Sequence, residues 1–328
     1  MKQQILALLR CPKTLQTLRV ESADTTADEV VDGWLVSEDG QHRYPVRKGS
    51  PRFVPESNYA DSFGMQWNHF AKTQLDSHSG LPISANRFWK ATGWQSEDMR
   101  GKWVLDAGCG AGRFAEVALK AGAKVVALDY SSAVDACIAN LGHHPRLHVV
   151  QGDIYALPFA PDSFRFVYSL GVLQHTPDVA KAFAALPPMV EPNGHLCVDY
   201  YEKSLKSALL PKRWLRPLTK RVPEAHLFAV LQKLVPLLLP VSRGLARVPI
   251  AGPLLKRVVP VANYEGILPL NREQLGEWAL LDTFDWLAPK YDNPQTAATA
   301  RAWLVEAGLD HVEVLRAGHL VGRGIRRG

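Results

Sequence analysis

The stretch Val104-Leu105-Asp106-Ala107-Gly108-Cys109-Gly110-Ala111-Gly112-Arg113-Phe114 constrains the fold of this chain more than any other. A short apolar run enters a turn with glycine at every second position, and an amphipathic stretch follows. Glycines let a backbone turn tightly and approach a ligand with no Cβ in the way, and in parallel sheets such turns lie at the carboxyl ends of strands, where a crevice opens. From Lys102 onward, short apolar runs alternate with amphipathic stretches, the pattern of βαβ units around a parallel sheet. Strands are expected at Trp103 to Ala107, Lys124 to Asp129, Leu147 to Gln151, Phe164 to Ser169 and His195 to Tyr200, with later ones at His311 to Leu315 and His319 to Val321. A helix is expected from Gln295 to Ala307, closed by Gly308.

A dinucleotide-binding turn places its third glycine three residues after the second, and here that position is Arg113. Three further stations follow in order. The second strand ends Leu128-Asp129-Tyr130-Ser131, placing a carboxylate where two ribose hydroxyls can donate to it. The third is Gln151-Gly152-Asp153-Ile154, closed by Leu157-Pro158-Phe159, and the fourth runs from Phe164 through Ser169-Leu170-Gly171-Val172 to His175.

Together these motifs resemble the class I S-adenosylmethionine-dependent methyltransferases, in particular the quinone and natural-product enzymes. The resemblance covers Lys102 to about Tyr201. It implies a Rossmann-like α/β fold with a seven-stranded, mostly parallel sheet and S-adenosylmethionine as cofactor. The residues it assigns to the cofactor are Asp106, Ala107, Gly108, Cys109, Gly110, Gly112, Asp129, Tyr130, Asp153, Ile154, Ser169 and Leu170. Of these, Asp129 takes the ribose, Asp153 the adenine amino group, Ile154 a face of the ring, and Ser169-Leu170 the methionine part. Gln66 and Trp67, in Phe63-Gly64-Met65-Gln66-Trp67, stand on a segment that folds over the cofactor in many relatives.

The flanks read differently. Residues 1–55 form a small β-rich unit: Leu18/Val20, Trp34-Leu35-Val36 and Arg43-Tyr44-Pro45-Val46 are punctuated by Gly33, Gly40 and Gly49. Its start, Leu9-Arg10-Cys11-Pro12-Lys13-Thr14, and its end resemble a zinc-ribbon-like domain that accompanies some methyltransferases. Thr14 stands where metal-binding members carry a second cysteine, so no metal is expected. Residues 56–101, rich in aromatics from Tyr59 to Trp94, form a helical lead-in. The cofactor domain comprises residues 102–202 and 276–328, interrupted by an insertion over 203–275.

That insertion carries the charge. Lys203 to Arg257 holds twelve basic residues against Glu224 alone, a net of +11, so the remainder of this +6 chain is mildly acidic. Its prolines, Pro236 and Pro240 among them, predict several short helices forming a lid on the acceptor side. Its charge points to an anionic membrane or to a phosphate-bearing acceptor, in either case met through Lys212, Arg213 and Arg216. Leucines outnumber aromatics here, against a nucleic-acid platform. The apolar run Leu234 to Val241 is too short to span a bilayer, and Arg10 interrupts the first apolar stretch. Four scattered cysteines fit the cytoplasm.

The leading functional expectation is an enzyme that methylates an oxygen or carbon of a small-molecule acceptor, lipid-linked or phosphorylated. The Pro-Pro-aromatic motif of many amine methyltransferases is replaced by Ser169-Leu170-Gly171-Val172. His175 is the candidate base, with a role as pocket wall as its alternative. Asp199, Tyr200, Tyr201 and Glu202 stand nearby at the exit of the fifth strand. The other readings are an RNA methyltransferase and a cofactor-binding regulatory module without catalysis.

Overall fold

The computed structural model describes all residues except 27–28, 56–59 and 204–210, so Tyr59 and Lys206 of the segments above lie outside the described residues. Strands β1 (Leu18–Thr26), β2 (Glu29–Ser37), β3 (Arg43–Arg47) and β4 (Ser50–Pro51) form an antiparallel sheet in sequential order. The remaining strands are β5 (Trp103–Ala107), β6 (Lys124–Asp129), β7 (Leu147–Gln151), β8 (Phe164–Ser169), β9 (Val190–Tyr200), β10 (Leu309–Ala317) and β11 (His319–Arg326). They form one sheet in the order β10-β11-β9-β8-β5-β6-β7, parallel but for β11, which runs antiparallel to both its neighbours. Helices of eight or more residues are α1 (Asp61–His69), α2 (Ile83–Thr92), α3 (Arg113–Lys120), α4 (Ala133–Leu141), α5 (Pro211–Thr219), α6 (Glu224–Ala246), α7 (Arg272–Leu287) and α8 (Ala297–Glu306).

Burial on both faces explains why the central strands read as mostly apolar runs. Successive side chains point to opposite faces, so Leu105 and Val126 join one core cluster while Val104 and Val125 join another. The first cluster also takes in Ile5, Leu9, Leu35 and Val46, so the N-terminal unit shares a core with the large sheet. Its backbone continues onto the β7 edge through Phe53 N–H to Gln151 O (2.8 Å) and Arg10 N–H to Pro158 O (2.9 Å). Gln151 accepts from Arg52 Nη1 (3.1 Å) and donates from Nε2 to the Tyr130 carbonyl (3.2 Å), linking this unit to the end of β6. Cys11 is buried with its Sγ 3.2 Å from Tyr44 Oη. Among the described residues no cluster of three or more metal-ligating side chains occurs, so apolar packing organises the unit, and the zinc-ribbon likeness gains nothing from the structure.

The insertion corrects one expectation. In place of several short helices, α6 runs 23 residues straight through Pro236 and Pro240. Each proline removes one amide, which frees the carbonyls of Gln232 and Pro236. Gln232, Pro236 and Pro240 all lie on the exposed side, where water satisfies those carbonyls. The opposite stripe, Leu227, Leu231, Val235 and Leu239, packs with Ala279, Phe284 and Leu287 of α7. By length and hydropathy α6 meets the criterion for a membrane span, yet this packing holds it flat against the fold.

Candidate active site

The glycine turn is hung from strand β6. The Leu128 carbonyl accepts from Gly108 N–H (2.7 Å) and Cys109 N–H (2.9 Å), and Asp129 Oδ2 accepts from Gly110 N–H (2.9 Å). Glycine is required along the turn, including two positions on the cavity wall. At Gly108 φ is +97° and a Cβ would stand 2.4 Å from Val172; at Gly110 it would press on the Trp67 indole at 3.2 Å. Helix α1 brings Trp67 there because Asn140 on α4 donates to both Ala71 O (2.8 Å) and Ala111 O (2.9 Å).

A cavity of about 760 Å³ opens at this carboxyl edge of the sheet. Gly108, Cys109, Gly110, Asp129, Tyr130, Ile154 and Leu170 line one end, with Gln66 and Trp67 folded across it. Asp129 Oδ1 accepts from the Ser131 amide (2.8 Å) and hydroxyl (2.7 Å), which aims the carboxylate, and burial raises its pKa. Gln66 is 1% exposed, and its amide nitrogen and oxygen have no hydrogen-bond partner among the described residues. Such a group calls for a ligand offering both a donor and an acceptor. The residues therefore fit S-adenosylmethionine: glycines that admit its backbone-hugging chain, a carboxylate for its ribose, and an unspent amide.

Other expected residues stand behind this wall. Ser169 is buried, its hydroxyl donating to Ala107 O (2.7 Å), and Gly112 opens α3 beside Leu141 and Cys137. Asp106 is 1% exposed, and burial pushes its carboxyl up to about 8. Asp153 spends Oδ1 on the Tyr155 amide (2.9 Å) and is not on the cavity wall, whereas its neighbours Gly152 and Ile154 are.

The far end of the cavity is built by side chains from distant segments. Helix α7 turns Trp278, Leu281, Asp282, Asp285 and Trp286 inward. Asp282 accepts from the Tyr264 hydroxyl, and burial raises its carboxyl to about 6. Asp285 accepts from the Tyr201 hydroxyl (3.0 Å). Lys212 on α5 lies over the Tyr201 ring (4.9 Å to centroid) and the Trp286 ring (5.6 Å). His319 stacks on Tyr201, and burial lowers its pKa to about 4, leaving a neutral imidazole at pH 7. His175, 7% exposed, faces the cavity between Phe63 and Tyr201. Its Nδ1 meets the Tyr291 carbonyl at 3.1 Å; a carbonyl only accepts, so Nδ1 carries the proton and Nε2 the lone pair.

Of the candidates at the exit of β9, only Tyr201 lines this cavity. Asp199 is held by Arg87 (2.8 Å) and the Gly171 amide, Tyr200 is in the core, and Glu202 pairs outward with Arg316. The three bases expected to meet an anionic acceptor or membrane do not act as one group. Lys212 points into the cavity, Arg216 donates to Trp286 O (2.9 Å) and Pro289 O (2.8 Å), and Arg213 is half-buried. Sequence reasoning missed Tyr264 and the α7 face. The signal available was the spacing of Trp278, Asp282, Asp285 and Trp286, which falls on one side of a helix.

Residues 105–198 match the family model described as a methyltransferase domain. The chain is 32% identical over 138 residues to the ubiquinone biosynthesis O-methyltransferase of Photobacterium profundum, covering 38% of this chain and 54% of that one. The enzyme of the same name from Thiobacillus denitrificans is 34% identical over 116 residues, covering 34% and 50%. The chain thus spans about half the length of the curated relatives it matches. Among solved structures, magnesium protoporphyrin IX methyltransferase from Synechocystis PCC 6803 with bound SAH aligns with a TM-score of 0.42 at 16% identity, over 82% of this chain and 96% of that one.

Proposed function

We propose that this chain, whose core is a class I S-adenosylmethionine-dependent methyltransferase domain, transfers the methyl group to a hydroxyl oxygen of a small-molecule acceptor. The observation that carries this is a single cavity with the glycine turn at one end and an ionisable, aromatic wall at the other. The similarity to O-methyltransferases of ubiquinone biosynthesis favours oxygen over carbon as the acceptor atom. We place the reaction in the cytoplasm, where the four buried free thiols stay reduced. The acceptor we favour is lipid-linked or phosphorylated, delivered at an anionic membrane surface. The basic stretch Lys203 to Arg257, with Glu224 alone against its twelve bases, supports that reading over RNA or a regulatory role without catalysis.

The cofactor supplies a methyl group activated on a sulfonium. The chain's own work is alignment, exclusion of water and disposal of one proton. Asp129, with Gly108 and Gly110, holds the ribose and chain. Gln66 and Trp67 cover them from α1, and Ile154 closes the adenine side. At the acceptor end a hydroxyl is a weak nucleophile until its proton moves to a base, and two groups face that end with basic lone pairs. His175 presents Nε2, its tautomer set by the Tyr291 carbonyl. Asp282 presents a carboxylate whose pKa near 6 leaves it ionised at pH 7 yet more basic than an ordinary aspartate. Tyr264 keeps that carboxylate oriented. We assign Asp282 the proton and His175 the wall behind it. The reading is tested by incubating the protein with labelled S-adenosylmethionine and quinol-type and lipid-linked hydroxyl acceptors. Acceptor-dependent release of S-adenosylhomocysteine supports it; transfer confined to RNA, or none to any acceptor despite cofactor binding, rejects it.

A further inference from the structure

Fourteen large hydrophobic side chains are exposed among the described residues, and eleven of them lie between Trp214 and Val258. They are ordered. Val230, Leu234, Leu237 and Val241 recur at helical spacing and form a second apolar stripe on α6, roughly a third of a turn from the stripe packed on α7. Beyond the helix Ile250, Leu254 and Val258 are exposed as well, and on α5 Trp214 (72% exposed) and Leu218 (66%) stand on the solvent side of the helix that sends Lys212 into the cavity. The bases Lys220, Arg221, Lys233 and Arg257 are exposed on the same segments, and none forms an ion pair among the described residues.

We propose that this face of α5 and α6 is a docking surface for an anionic lipid bilayer, laid flat in the headgroup region above the acceptor end of the cavity. Charge decides among occupants. A second copy meeting the same face would set Lys220, Arg221, Lys233 and Arg257 of one chain against those of the other, and nucleic acid gains nothing from an aliphatic stripe. An anionic membrane takes both features at once: apolar side chains enter the acyl boundary and bases meet the headgroups. The geometry suits the lid's position. Helix α7 carries the cavity's aromatic and acidic face on one side and packs Ala279, Phe284 and Leu287 against α6 on the other, while α5 itself reaches the cavity wall through Lys212, so a molecule leaving the bilayer need cross only one helical layer. The proposal rests on the reading above only for the acceptor's lipid character; docking itself needs neither cofactor nor turnover.

The test is sedimentation of the full chain with vesicles of phosphatidylcholine alone or mixed with phosphatidylglycerol, without cofactor. Binding is expected only to the mixed vesicles and should fade with added salt. Replacing Lys220, Arg221 and Lys233 together by Gln should weaken it by roughly 100-fold, at about one headgroup contact per base. The pair Leu234→Ser/Leu237→Ser should weaken it at both low and high salt, and both variants should keep S-adenosylhomocysteine affinity, which certifies their fold. Equal binding to neutral vesicles, or no binding to either, overturns the proposal. So does a wild-type dimer in light scattering that the leucine pair dissociates, since a second copy then covers the face. Loss of vesicle binding with methyl transfer intact removes the docking alone. Vesicle binding by a chain that fails to bind S-adenosylhomocysteine removes the functional reading and leaves the docking.

Discussion

The two ends of the cavity are built in different ways. The cofactor end is made mostly of backbone: a glycine turn hung from the Leu128 carbonyl, the tips of β5, β6 and β8, and one carboxylate that braces the turn through Gly110 N–H. The acceptor end is made of side chains, converging from α2 (Arg87), the exit of β9 (Tyr201), α5 (Lys212), the loop before α7 (Tyr264), α7 itself (Asp282, Asp285) and β11 (His319). A reactant shared by a whole fold can be held by geometry that is local in sequence, whereas the reactant that differs between enzymes is chosen by tertiary convergence.

The sharpest way to break this contrast is to put a side chain into the turn. Gly108→Val should raise the dissociation constant for S-adenosylhomocysteine by about 100-fold or more, because φ there is +97° and the new Cβ meets Val172 at 2.4 Å. Titration calorimetry on the folded variant reads this, and retained affinity would mean the ligand avoids the turn. Asp129→Ala should cost about 1.5 to 3 kcal/mol of cofactor binding, the range for hydrogen bonds to a charged group. An unchanged constant would move the ribose elsewhere.

Substitutions at the far end should leave cofactor affinity alone. Asp282→Asn should lower kcat by at least about 100-fold while the dissociation constant for S-adenosylhomocysteine stays put. In the wild type the rate should climb as pH rises through about 6 and the carboxylate ionises; the variant should lose that limb. A limb that survives in Asp282→Asn and vanishes in His175→Gln would transfer the proton to His175. A smaller effect concerns stability. The folded pKa of Asp282 lies above its unfolded value of about 3.9, so its contribution is fully present below that value and is lost as pH rises through about 6. The stability of Asp282→Asn relative to wild type should therefore rise between about pH 4 and 6 and level off above. Urea midpoints across that range measure it, and a flat difference would mean the carboxylate is not desolvated.

The same contrast explains what is legible in the sequence alone. Strands β5 to β8 coincide with their expected limits because burial on both faces makes each a mostly apolar run, broken only by single polar residues such as Asp106, His148 and Arg165, and the glycine turn is a contiguous motif. Asp106 precedes the glycine turn and Ser169 ends β8, yet both side chains are buried in the sheet layer, where Ser169 ties β8 to β5. Helix α6 reads as several shorter ones because prolines weigh as helix breakers in sequence, while the tertiary fold places both on the wet side. Lys212 and Arg216 read as surface charges; their long stems let the heads turn in toward Tyr201, Trp286 and Pro289. Nothing local marks Tyr264 as the partner of Asp282, eighteen residues on, because a loop and a helix bring them together only in the fold.

The central claim, that one cavity holds S-adenosylmethionine at its backbone-built end, is tested most directly by calorimetric titration of the full chain with S-adenosylhomocysteine and, separately, with NAD. The expected result is one S-adenosylhomocysteine per chain, weakened by Asp129→Ala and indifferent to Asp282→Asn. No heat is expected from NAD, since Arg113 occupies the third glycine position of a dinucleotide turn and is fixed there by Ser84 and Gln74. Tighter binding of NAD, or S-adenosylhomocysteine binding that ignores Asp129 and depends on Asp282, would contradict it.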